Sequence, residues 1–337
     1  MNRRSFLRNL SAAGAGLALA PPTWAQTSPP NLGRIAYQMS WIKNFQFVGE
    51  YIADTRNYFR KFGLEVDLLA GGPATIVDPI VVSGKALVGE SAPDFMANAI
   101  AKGAPLKSIG ASYQKQNVCI ASLAKTPLLT PQDMIGKKIG IQTINLVTWH
   151  VFLKLNKIDL FQVDTVPVQF DFAPLISGEV DGFFGTVNDD VVHLESQGYA
   201  IHPLLFGDFG YKMLTATYSV RTDSLTDKTK RAQIVAFMKG DILGWQDAIR
   251  DPALGAQLTI DVYGKGNGLE LTTEKRSCEV TNGLMVTPTT QQHGLFWMSP
   301  EDIDATIVTL AAAGVKATPD MFTNEILEEV YQGKSSL

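Results

Sequence analysis

From residue 33 onward the apolar positions follow two alternating rhythms. Ile35-Ala36-Tyr37-Gln38 predicts a strand. After it, Phe47, Tyr51, Tyr58 and Phe62 fall close to one helical face, and Gly63 stands where a helix would stop. Residues 64–69 alternate and predict a second strand, so the chain opens as a βαβ unit. The same alternation predicts a helix at 76–82, a strand at 86–89, a helix at 92–102 and a strand at 106–110.

A second unit starts with an extended stretch at 118–122. Thr130-Pro131-Gln132-Asp133 carries an N-cap threonine, a proline at the first helical position and an acid two residues on, which opens a short helix. Strands at 139–141, 166–170 and 180–184 then alternate with helices at 143–156, 173–177 and 189–197. Residues 218–220 predict a strand that crosses back. The remainder is mostly helical, with Ile234, Phe237, Met238, Trp245 and Ile249 at helical spacing and a second cap at Ser299-Pro300-Glu301-Asp302. The expected fold class is α/β: two doubly wound lobes joined by two crossing strands. Lobe 1 takes residues 33–117 plus 221–337, and lobe 2 residues 118–220, with hinges near 117–119 and 218–220. In such folds ligands sit outside the carboxyl ends of strands, beside helix amino ends.

The first 25 residues change the address. Arg3-Arg4-Ser5-Phe6-Leu7-Arg8 precedes the apolar run Leu10–Ala20, and Thr23-Trp24-Ala25 ends in small residues. This reads as a cleaved secretory signal, and the paired arginines resemble a twin-arginine signal. The apolar run falls short of the roughly 20 residues a spanning helix needs. Cleavage removes three arginines and takes the formal charge from −4 to −7. The expected location is the periplasm. No basic stretch favours nucleic acid. Two lone cysteines, Cys119 and Cys278, read as buried apolar residues, and the four histidines show no metal spacing. No cofactor is expected, and no nucleophile elbow, P-loop, dinucleotide fingerprint or HExxH motif occurs.

Several segments together resemble a known family. They are Trp41-x-x-Asn44-x-x-x-x-Gly49-x-Tyr51-x-Ala53 with Gly63-Leu64-x-Val66, Val82-Ser83-Gly84-x-Ala86-x-x-Gly89, Pro131-x-Asp133-x-x-Gly136-Lys137-x-Ile139-Gly140, and Gly178-x-Val180-Asp181-Gly182. This is similar to ABC-transporter solute-binding proteins of the group that includes thiamine-pyrimidine-synthase-like and alkanesulfonate-binding-like members. The resemblance implies the type II periplasmic-binding-protein fold and hinge closure on a small molecule. It also implies an inner-membrane ABC permease as partner, with the binding protein itself a monomer. A thiamine pyrimidine precursor or another planar nitrogen heterocycle is the expected ligand, with an alkanesulfonate or taurine as the alternative. The pyrimidine synthases of the group carry a histidine where this chain has Phe47, and a cysteine-rich cluster that this chain lacks. The expected role is therefore binding without catalysis.

A clamp needs an aromatic surface and a few placed polar groups. Trp41, just after the first strand, is expected to stack on a ligand ring, and Asn44 either contacts ligand or caps the next helix. Glu90, Ser91 and Asp94 follow a strand end and can accept hydrogen bonds from an amino-substituted ring. Asn145, with Thr143 and Thr148, stands at a helix start where N–H groups are free. Asp171, Asn188 and Asp190 complete the expected ligand set.

Overall fold

The computed structural model describes residues 31–337, so the expected signal segment lies outside the described residues. The first part of the chain runs β1 (Gly33–Gln38), α1 (Val48–Thr55), α2 (Tyr58–Lys61), β2 (Leu64–Leu69), α3 (Val77–Val82), β3 (Val88–Ser91), α4 (Pro93–Ala101) and β4 (Leu106–Tyr113). The second runs β5 (Val118–Leu123), β6 (Lys138–Ile141), α5 (Leu146–Leu155), β7 (Asp164–Pro167), α6 (Ala173–Ser177), β8 (Gly182–Thr186), α7 (Asp190–Ser196) and β9 (Ile201–Leu205). After β10 (Thr215–Arg221) come the helices α8 (Thr222–Thr226), α9 (Lys228–Arg250), α10 (Pro252–Leu258), α11 (Leu271–Met285), α12 (Pro288–His293), α13 (Pro300–Ala312) and α14 (Glu325–Tyr331).

Two five-stranded sheets result, in the orders β2-β1-β3-β10-β4 and β7-β6-β8-β5-β9. In each, four strands run parallel and the fourth position holds the single antiparallel strand, β10 or β5. The chain leaves the first sheet after Tyr113 and enters the second at Val118, then returns between Leu205 and Thr215. The return crossing therefore precedes the expected hinge at 218–220. Those residues pair within the first sheet, where Tyr218 faces Glu90 and Ser219 faces Gly89, and cannot bend without breaking its ladder.

The expected helix after Phe45 is broken in the middle. Asn57 takes a left-handed backbone (φ 57°), ending α1 and letting α2 start at a new angle. Both pieces pack on α9. The α1–α9 approach depends on glycines: a Cβ on Gly244 would lie 2.0 Å from the Gly49 carbonyl oxygen. Glu50 on α1 and Asp241 on α9 are both fully buried in the same first-lobe core.

Three departures from the expected strands bear on the cleft and the sheet edges. β3 runs to Ser91 rather than Gly89, which carries Glu90 and Ser91 in the strand itself. β7 stops at Pro167, so 168–170 leave the sheet and Phe170 is exposed. β9 has no counterpart in the sequence reading. It contains Pro203, which a strand tolerates at a sheet edge, and β9 is the edge beside β5.

The C-terminal helices mostly cover the first sheet, with α14 on β4 and α9. α13 instead reaches across to the second unit. Lys154 Nζ on α5 donates to Ala312 O (3.0 Å), and Thr309 on α13 donates to the Lys212 carbonyl (2.6 Å) in the return crossing. Both cysteines are buried and unbonded, Cys119 on β5 and Cys278 on α11.

Candidate functional site

The topology fixes where a site forms. The parallel strands of both sheets aim their carboxyl ends at one cleft, and β10 and β5 aim their amino ends at it. From the first sheet come Ser40 and Trp41 after β1, Glu90 and Ser91 at the end of β3, Tyr113 at the end of β4 and Asn117 after it. From the second come Gln142–Asn145 after β6, Phe170 after β7, Thr186 at the end of β8, and Asp189 and Asp190 after it. The first-sheet half encloses about 280 Å³ and the second about 470 Å³. Trp41, Gln46, Pro73 and Ile144 line both halves, so the indole stands where the two meet.

Trp41 is half-buried, and local backbone geometry holds it. Its carbonyl accepts from Gly71 N (2.8 Å), and a Cβ at Gly71 would sit 2.4 Å from the Met39 carbonyl oxygen. Only glycine lets the 70–73 loop lie this close to the chain that carries Trp41. Beside it, the Asn44 side chain accepts from Gln46 N (3.1 Å) and caps the turn Phe45–Phe47. Asn44 is buried and lies outside the cleft lining. Phe45 and Phe47 turn inward, so Gln46 between them faces the cleft.

The polar floor is acidic. Glu90 is buried and accepts from the Ser40 hydroxyl, and burial pushes its carboxyl up to about 7. Ser91 donates to Asp78 (2.9 Å), an acid that also accepts from Ser219 (3.2 Å). On the facing wall Asp190 accepts from the Thr186 N–H (2.7 Å) and hydroxyl (3.0 Å). Burial raises its carboxyl, and Gly185 leaves the room, because a Cβ there would meet Asp190 Cβ at 2.8 Å. Burial, and then the neighbouring Asp190, push Asp189 up to about 7. Asn145 Nδ2 donates to Gln142 Oε1 (2.9 Å), whose own amide donates to the Phe184 carbonyl (3.1 Å). Among the described residues lining either half there is no lysine, arginine or histidine.

Of the nine expected residues, the fold brings Trp41, Glu90, Ser91, Asn145 and Asp190 together at the cleft. Four lie elsewhere. Asn44 is a cap. Asp94 sits on the first turn of α4, half-buried, and its neighbour Phe95 lines the cleft instead. Asp171 is exposed and accepts from Ala173 N (3.0 Å) at the start of α6. Asn188 is fully buried with its amide engaged: its oxygen accepts from Asn117 Nδ2 (3.0 Å), and its nitrogen donates to Thr281 (3.0 Å) and Tyr113 (3.4 Å). It ties β8, the first crossing and α11 together behind the cleft floor. Sequence reading missed Ser40, Gln46, Tyr113, Asn117 and Thr186.

Two sheets with one reversed strand each, facing across a cleft built from strand ends, define the periplasmic-binding-protein fold. The chain belongs to the NMT1/THI5-like family, which it matches over residues 44–254. It is 21% identical over 314 residues to the riboflavin-binding protein RibY of Chloroflexus aurantiacus, covering 90% of this chain and 88% of that one. It is 25% identical over 228 residues to a Haemophilus influenzae protein that carries a thiamine-biosynthesis name, covering 66% and 70%. In three dimensions it resembles the periplasmic aliphatic sulphonate binding protein SsuA from Escherichia coli, with a TM-score of 0.60 at 16% identity over 85% of this chain and 86% of that one. That likeness is one of fold.

Proposed function

We propose that this protein is the periplasmic binding component of an ABC importer, capturing a small planar nitrogen heterocycle by closing its two lobes and performing no chemistry on it. The reading includes export by the N-terminal signal, a monomeric state, an inner-membrane permease as partner, and lobes that divide between Tyr113 and Val118 and again between Leu205 and Thr215, not at the expected 220–221, because β10 belongs to the first sheet.

One observation carries the ligand class. The cleft pairs an indole shared by both halves with carboxyl groups on both walls, and none of its described lining residues is cationic. A ring fits the indole face, and ring or amino N–H groups fit Glu90 and Asp190 as acceptors. A sulfonate would meet like charge in a space of low polarity, which penalises it.

The test is a thermal-shift and calorimetric screen of the mature chain with 4-amino-5-hydroxymethyl-2-methylpyrimidine, riboflavin, taurine and ethanesulfonate. A heterocycle is expected to raise the melting temperature, since ligand at 100 times its Kd adds about 2.7 kcal/mol. Affinity for a neutral heterocycle should rise from pH 6 to 8, as Glu90 passes through about 7 and becomes the better acceptor. Glu90→Gln should flatten that dependence. A shift with the sulfonates alone overturns the ligand class, and conversion of the bound heterocycle to a new compound overturns the non-catalytic reading.

A further inference from the structure

Three carboxyl groups line the cleft, Glu90 in the first-sheet half and Asp189 and Asp190 in the second. None has an ion pair among the described residues. Glu90 is only 6% exposed, yet its Oε1 takes no hydrogen bond among the described residues and stays open to the cleft. Asp189 takes no hydrogen bond on either oxygen among the described residues, and both oxygens reach solvent. Asp190 uses Oδ2 for Thr186. His193 on α7 is the one basic side chain that acts on any of the three, and it is exposed and outside the lining. The charge these acids gain on ionising therefore has no counter-charge in the lining itself.

Three aromatic rings border the same space. Trp41 lines both halves, the exposed Phe95 lines the first and the exposed Phe170 the second. Among the described residues none of the three stacks on another aromatic ring. None carries a lysine or arginine over its face. A ring face attracts a cation, most strongly on an indole and where water is excluded. A carboxylate bonds a charged donor about twice as strongly as a neutral one. Building on the heterocycle reading of the cleft, we propose that the ligand is captured as a cation: an amino-substituted heteroaromatic ring that stacks on Trp41, with its positive charge between Glu90 and the Asp189–Asp190 pair. Glu90 Oε1 accepts an N–H of the ring system, and the two aspartates face the charge from the other lobe.

Two isomers of one size and shape separate charge from stacking. At pH 8 4-aminoquinoline is a cation, its charge shared between the ring and amino nitrogens, and 3-aminoquinoline is neutral. Glu90 and Asp189, each pushed up to about 7 chiefly by burial, are mostly ionised at that pH. Calorimetric titration of the mature chain is expected to show 4-aminoquinoline binding about tenfold or more tightly than its isomer. Glu90→Gln, which keeps the side chain's size and removes its charge, should bring the two to within about threefold of each other, and Asp189→Asn should narrow the gap as well. Asp171→Asn, at an exposed acid outside the lining, should leave the preference intact. A preference that survives both Glu90→Gln and Asp189→Asn overturns the proposal. So does a neutral isomer that binds as tightly as the cation, or binding of riboflavin by a chain that does not bind 4-aminoquinoline; in either case the charge is wrong and the heterocycle reading stands. A chain that binds no heterocycle of either charge loses both.

Discussion

Replacing Trp41 by alanine is expected to weaken heterocycle capture roughly 100-fold, a loss of about 3 kcal/mol. The indole is the one large aromatic surface common to both halves of the cleft, so its loss removes stacking on the ligand and contact between lobes in the closed clamp. Because Trp41 is only half-buried where it packs against the first-lobe core, the unliganded protein should lose far less stability than this. Trp41→Phe should recover most of the affinity, since a smaller ring can still stack. Calorimetry with the best heterocycle from the screen reads both variants. Equal affinity in Trp41→Ala and the wild type would remove the indole from the mechanism.

The sequence foretold the architecture better than the site, for a physical reason. Strand and helix periodicity are local, and most parallel strands and their following helices carry clear patterns. The lapses came where a tertiary partner decides. Edge strand β9 tolerates Pro203 because one side of it has no neighbour, which the sequence cannot show. Asn188 sits beside two acids that do line the cleft, yet its own partner, Thr281, is 93 residues away. Position near a strand end suggested a ligand contact, and packing of α11 made it a strut. Gln46 had a readable signal that the expected ligand set did not use: a lone polar residue between two large aromatics points away from the core they enter. Asp94 and Phe95 show the same difficulty by a single position, since an exposed phenylalanine on a helix start looks like a core residue until its helix is placed.

Stability is expected to fall as pH rises from about 4 to 8, the reverse of the acid lability common in soluble proteins. Glu50 and Asp241 are buried in the first-lobe core, and each has one oxygen with no hydrogen-bond partner. Asp241 accepts from Tyr218 (2.6 Å), which in turn accepts from Ser112 (3.1 Å), and neither acid has an ion pair among the described residues. Burial pushes Asp241 up to about 8, and burial together with the neighbouring Asp241 raises Glu50 well above the usual carboxylate range. Two unpaired carboxyls so placed are held neutral, because charging them in an apolar core is costly.

The sign follows from proton counting. In the unfolded chain both acids ionise near pH 4, while in the folded chain Asp241 keeps its proton to about 8 and burial holds Glu50 well above the usual carboxylate range. Between those limits the folded state binds more protons, so each rise in pH favours unfolding. The stability these groups contribute is complete below about pH 4 and is lost as pH climbs through the folded values, a change on the order of several kcal/mol. Glu90 and Glu274, raised to about 7 by burial, act in the same direction. Asp133, Asp223 and Asp320 are lowered, by backbone N–H groups, by Arg221 and by the Thr318 hydroxyl respectively, and oppose this only below the ordinary carboxylate range. Urea unfolding of the mature chain at pH 5 and pH 8 measures the slope, and Asp241→Asn should flatten it while keeping an acceptor for Tyr218. Stability that is level or higher at pH 8 would mean the buried pair is ionised and compensated by a cation in the core, and the neutral-pair account would fail.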